Sequence, residues 1–137
     1  MCLSTRQKYV KFAKEEIPCY KVFKVDSAGI PFTPFTHRYI TIEELTGKKP
    51  LRAIGAIEKS KSFDGTVFDY GRGLIHAYKK MPDDPIENLF YAQNGNIIVC
   101  KCHIPKRTRY TENNEEIAAK RIVIDEIIFD SRKRTRI

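Results

Sequence analysis

No apolar run in this chain extends beyond a few residues, far short of the ~20 that a membrane-spanning helix requires. The opening residues, Met1-Cys2-Leu3-Ser4-Thr5-Arg6, lack the apolar core of a secretory signal. A cytoplasmic protein with no membrane partner is therefore expected. Internal repeats, linkers and low-complexity segments are also missing, which points to one domain over residues 1–137. A chain of that length buries roughly two thirds of its unfolded surface. Its apolar content of 42% argues against wholesale disorder.

Several chemical signatures are absent as well. Gly47-Lys48-Lys49 has neither the upstream glycine nor the following Ser or Thr of a phosphate-binding loop, and no Gly-rich dinucleotide fingerprint occurs. A structural zinc site takes four ligands, often from two close cysteine pairs. Here the close pair is a lone Cys-x-Cys, Cys100 and Cys102. Recognition helices, zinc fingers and RNP-type motifs are not visible. No metal or cofactor is expected, and the cysteines are expected to be reduced and structural.

Positive charge is what the chain has in excess. Lysine and arginine number 25 against 17 acidic residues, a net charge of +8. Residues 130–137 form a basic tail in which Arg132, Lys133, Arg134 and Arg136 carry four positive charges. Such a balance suits an anionic partner, whether nucleic acid, a nucleotide or an acidic protein surface.

The most informative stretch is Asn96 to Tyr110. Side chains alternate between the faces of a strand. Ile98, Cys100, Cys102 and Ile104 therefore share one face, and Ile97, Val99, Lys101 and His103 the other. The cysteines thus sit among isoleucines as core residues, with His103 directed away from them. A basic, aromatic-tipped loop follows, with Lys106, Arg107, Arg109 and Tyr110.

Elsewhere the pattern predicts short elements. Ser4-x-x-Gln7 has capping-box spacing, which allows a short helix or a loose arm over residues 1–16. Cys19 to Val25 alternates as a strand, His37 to Ile40 suits a short one, and Thr41-x-x-Glu44 opens a brief helix stopped by Gly47. Lys48 to Gly55 suits a loop, and Asp64-Gly65 a hairpin turn between Ser60–Phe63 and Thr66–Tyr70. Leu74 to Lys79 is a strand, Asp84-Pro85 a helix start, Tyr110 to Glu116 a polar loop, and Ala118 to Phe129 a last strand. The sum is an α+β domain, a mostly antiparallel curved sheet with two or three short helices.

The Met-Cys-x-Ser start, Cys19-Tyr20-Lys21-Val22-Phe23-Lys24-Val25, Gly73-Leu74-Ile75-His76-Ala77-Tyr78 and Val99-Cys100-Lys101-Cys102-His103-Ile104-Pro105 stand in that order. Together they resemble small uncharacterised proteins encoded by bacteriophages and bacterial mobile elements. The resemblance implies an accessory role, such as counter-defence in a host cytoplasm, and supplies no catalytic residues. Gly73 to His76 is also similar to a stretch in small ADP-ribosyltransferase-like domains, which implies an enzymatic alternative.

Two chemistries compete. As a binding protein, the chain would capture an anion with Lys106, Arg107 and Arg109, with Tyr110 or Tyr78 as apolar contact and Arg72, His76, Arg132, Lys133, Arg134 and Arg136 assisting. As an enzyme it would rely on His37 and His76, with His76 lining a cleft beside Tyr78. The excess of positive charge and the lack of catalytic motifs favour binding over catalysis, with direct nucleic-acid binding as an alternative form of it.

Overall fold

The structure, a computed structural model, describes residues 4–5, 11–33, 38–54, 67–68, 74–81, 95–112 and 114–133. In chain order the strands are β1 (Ser4–Thr5), β2 (Lys11–Phe12), β3 (Ile17–Val25), β4 (Pro31–Phe32), β5 (Leu51–Arg52), β6 (Val67–Phe68), β7 (Ile75–Tyr78), β8 (Asn96–Ile104), β9 (Arg109–Glu112), β10 (Glu116–Ala119) and β11 (Arg121–Asp130). Among the described residues a single α-helix, α1 (Ile42–Leu45), lies between β4 and β5, and a 3-10 turn covers Ser131–Lys133.

The fold is built on β3 and β8, which pair antiparallel without a break from Ile17↔Ile104 to Val25↔Asn96. The opposite edge of β3 is divided: Tyr20 meets Tyr78 of β7, while Lys24 and Val25 meet Phe32 and Pro31 of β4. Among the described residues the main sheet runs β2-β9-β10-β7-β3-β8-β11-β5, with β4 attached to β3. Every pairing in it is antiparallel. A separate small ladder joins β1 to β6.

β10 and β11 are separated only by Lys120, yet they occupy distant places in that order. One continuous segment therefore belongs to both halves of the sheet, and the sheet must coil until those halves meet. Two register shifts in β11, at Ile124/Glu126 and Ile127/Phe129, add the extra residues that bend and twist the strand.

Coiling gives an inner face lined by Cys19, Phe23, Ile98, Cys100, Cys102, Ile104, Ile117, Ala119, Ile122 and Ile124, all buried. At about 2 kcal/mol for each fully buried branched side chain, this cluster is the main source of stability. A smaller outer-face cluster of Val22, Ile97 and Val99 is joined by Tyr78, Met81 and Phe129. The alternation read from Asn96–Ile104 is realised: both cysteines face inward and His103 outward. Cys19 lies directly opposite Cys102. Cys19, Cys100 and Cys102 are free thiols.

The expected α+β class is corrected. Of the described residues 55% are strand and 8% helical, with one lone α-helix, so the domain is a mostly antiparallel β fold. The helix expected up to Glu16 fails where it can be seen, because Lys11 and Phe12 pair with Tyr110 and Arg109. Long-range pairing overrides a local capping-box spacing. Within the polar segment 110–116, expected as a loop, Tyr110–Glu112 lie in β9 and pair with Ile117–Ala119, and Glu116 opens β10. Leu51–Arg52, expected within a loop, pairs with β11, and the expected last strand is cut at Lys120. The turn at Asp64-Gly65 and the helix from Asp84 lie outside the described residues.

The capping box at Thr41 forms as read. Thr41 Oγ1 accepts from the Glu44 N–H at 3.1 Å, and Glu44 Oε1 accepts from the Thr41 N–H at 3.0 Å. Arg38 joins Glu44 at 3.3 Å and also donates to the Arg52 carbonyl, tying this cap to β5. Gly47 ends the helix at φ +82, where a Cβ would lie 2.6 Å from the Ile124 carbonyl oxygen. Gly47→Ala is accordingly expected to lower Tm by about 5 °C or more, read by thermal unfolding.

Lys21 is the exception on the inner face. It is buried, opposite Cys100, with Nζ donating to the His76 carbonyl at 2.6 Å and lying 5.9 Å from the Phe23 ring centre. Burial lowers its pKa from 10.5 to about 8. Between those values the unfolded chain holds a proton that the folded protein has released, so stability rises with pH across that window. Below pH 8 the cost of the buried charge is fully present. Relative to Lys21→Met, wild type is expected to gain on the order of 2 kcal/mol in urea unfolding from pH 7 to pH 10. A parallel response in the two proteins would contradict it.

Candidate basic surface

Positive charge gathers where the long bent strand changes partners. The Lys120 N–H donates to the Arg109 carbonyl at 2.9 Å, and the Lys120 carbonyl accepts from Ala53 N–H at 2.9 Å. Backbone segments near residues 52, 109 and 120 are thereby held side by side. Arg121 stands directly opposite Arg52 in the β5–β11 pair. The hinge therefore brings Arg52, Arg109, Lys120 and Arg121 together, although they are remote in sequence.

The turn after β8 extends this corner. Arg107 N–H donates to the Ala13 carbonyl at 2.7 Å, and Ala13 N–H donates to the Thr108 carbonyl at 2.8 Å. These two bonds continue the β2–β9 pairing and fix the turn against residues 11–13. Arg107 sits at φ +70, a left-handed conformation uncommon for a residue with a side chain. Lys106, Arg107 and Arg109 are all exposed. The buried Thr108 hydroxyl accepts from Arg121 Nη2 at 3.1 Å, linking the turn to the start of β11.

Two aromatic rings stand among these cations. Arg109 Cζ lies 5.8 Å from the Phe12 ring centre, and Lys11 Nζ lies 5.4 Å from that of Tyr110. Both are cross-strand pairs, Phe12↔Arg109 and Lys11↔Tyr110. Alternation puts the two pairs on opposite faces of the β2–β9 edge. Tyr110 packs against the inner core, whereas Phe12 is 63% exposed. Tyr110 was expected at a loop tip; it stands on a strand, and Phe12 is the ring that faces solvent. Lys11, Arg52, Lys106, Arg107 and Arg109 have no carboxylate partner among the described residues.

Arg132 and Lys133 do not join this corner. Arg132 and Lys133 follow β11 at the end of the sheet where β8 begins, since Ser131 Oγ accepts from the Ile97 N–H at 2.9 Å. The length of β8, about 26 Å for eight residue steps, separates them from Lys106. Arg132 is also held by Asp130, with Nε to Oδ1 at 3.0 Å and Nη2 to Oδ2 at 2.8 Å. The guanidinium draws the Asp130 carboxyl below the usual range and is itself raised by it. That pair leaves Arg132 little free charge to offer. Arg72, Arg134, Arg136 and His37 lie outside the described residues.

His76 and Tyr78 point to the outer face, two strands from β9. Both ring nitrogens of His76 are shielded from solvent, and Tyr78 packs with Val22, Ile97 and Val99. His76 is thus half-buried, with its ring nitrogens covered. His103, which sequence reasoning set aside once it faced away from the cysteines, holds the more organised contacts. Its Nδ1 lies 2.9 Å from Asp125 Oδ1, and its Nε2 lies 3.8 Å from Glu16. With a carboxylate toward each ring nitrogen it serves as a clamp between the start of β3, β8 and the first bulge of β11.

The three described thiols offer no reactive alternative. Burial pushes Cys19 and Cys100 up to about 12 and Cys102 still higher, so the nucleophilic thiolate is disfavoured. Among the described residues no group of three or more His, Cys, Asp or Glu side chains is arranged to hold a metal ion, and no helix is long and apolar enough to cross a membrane. Family models, curated proteins and solved structures were compared with the chain, and none matches it.

Proposed function

We propose that this protein is a small basic accessory module that captures an anionic partner without chemically altering it. The working surface is the corner around Lys120, where Arg52, Arg109, Arg121 and the Lys106–Arg107 turn converge. One observation carries this reading: the backbone bonds of Lys120 collect cations from three distant segments. Like charges placed side by side destabilise a fold, and an anion seated among them relieves that repulsion. The accessory role implied by the resemblance to phage and mobile-element proteins is compatible with a module of this kind.

Charge location, not net charge, is what the proposal stands on. Arg107→Glu with Arg109→Glu reverses two charges at the corner. Lys24→Glu with Lys133→Glu reverses two at the opposite end of β3 and β8. On immobilised heparin, a generic polyanion, the corner variant is expected to elute at much lower salt than wild type, and the distal variant close to wild type. Circular dichroism checks that both remain folded. Equal losses from the two variants would contradict a localised site and leave only a diffuse basic surface.

A further inference from the structure

The corner carries more than charge, and its extra feature narrows the class of partner. Phe12 is 63% exposed on β2, an outermost strand of the main sheet among the described residues. An exposed ring of this size belongs to no part of the core. It stands directly across from Arg109, whose guanidinium lies 5.8 Å from the ring centre. The next pair along the same two strands, Lys11 and Tyr110, faces the other way with Tyr110 against the inner core, which leaves Phe12 as the ring on this surface. Phosphates alone would need only the cations, and a flat ring beside them provides a surface for something both anionic and planar.

We infer that the partner is a single-stranded nucleic acid, with an unstacked base laid on Phe12 and the adjoining phosphates held by Arg109, Arg107, Arg52 and Arg121. The inference rests on the anion-capture reading of the same corner. Every base has a π face, and base–aromatic stacking is sequence-tolerant. A duplex keeps its bases stacked inside and offers the corner phosphates only, so Phe12 would go unused. An acidic protein surface would satisfy the cations but does not, unit after unit, join its charges to a flat ring that stacks on Phe12. Stacking and phosphate contacts are common to both chemistries, so DNA and RNA single strands are expected to bind within a few-fold of each other.

The test is fluorescence anisotropy with labelled oligothymidine and oligouridine, a duplex of equal length, inorganic polyphosphate and polyglutamate as competitors, and three proteins: wild type, Phe12→Leu and Phe12→Tyr. The exposed position makes both substitutions tolerable to the fold, and matched thermal unfolding verifies this. Wild type is expected to prefer single strands to duplex. Phe12→Leu is expected to weaken single-strand binding about tenfold, Phe12→Tyr to retain it, and competition by polyphosphate to be unaffected by either. Equal affinity for duplex, or no effect of Phe12→Leu on single strands, would overturn the single-strand inference while polyphosphate binding upheld anion capture. Polyglutamate competing as well as an oligonucleotide would overturn it in favour of an acidic protein. No binding to any polyanion would remove both readings together.

Discussion

The residues from Glu116 to Asp130 form one segment that serves two distant places in the sheet, and this constraint shapes the rest of the molecule. β10 is bound to β7 and β9, and β11 to β8 and β5, with Lys120 as the sole residue between. Satisfying both sets of pairings requires the sheet to coil, which encloses the inner cluster. The bulges in β11 relieve the strain of that curvature by inserting unpaired residues. Gly47 is constrained by the same strand, because its turn lies directly against the Ile124 carbonyl.

The hinge also explains where charge collects. A strand that switches partners brings other segments to the switching point, here residues 52–53 on one side and 109 on the other. The chain places arginine at 52, 109 and 121 and lysine at 120. Arg38 stabilises the arrangement from behind by linking the α1 cap to the Arg52 carbonyl. The opposite end of β8 is treated differently, since its arginine at 132 is neutralised by Asp130. The two ends of a uniformly basic protein thus differ in the charge they leave available.

The sequence made the central strand legible because Asn96–Ile104 alternates without interruption, and its β3 partner for the same reason. The capping box at Thr41 was also legible, because its two reciprocal bonds join residues three apart. Short strands were not. Lys11–Phe12 and Leu51–Arg52 are two-residue pairings whose stability comes from partners roughly seventy to a hundred residues away, and no local pattern announces them. Tyr110–Glu112 read as loop on polarity, although Thr111 is buried and β-branched. Of the candidate site, Lys106, Arg107 and Arg109 could be found from a local run of charge. Phe12, Arg52 and Arg121 could not, since only the coiled topology brings them to that run. The terminal arginines were attractive by density of charge, but charge density says nothing of the carboxylate that folding places beside Arg132.

Backbone amide mapping by NMR tests the central claim most directly. Full-length isotopically labelled protein would be titrated with an oligothymidine on the order of 10 nucleotides long. Shifts concentrated at residues 11–12, 52–53, 106–109 and 120–121 are the predicted result. Shifts concentrated instead at 96–98 and 130–133, at the far end of β8, would contradict the account.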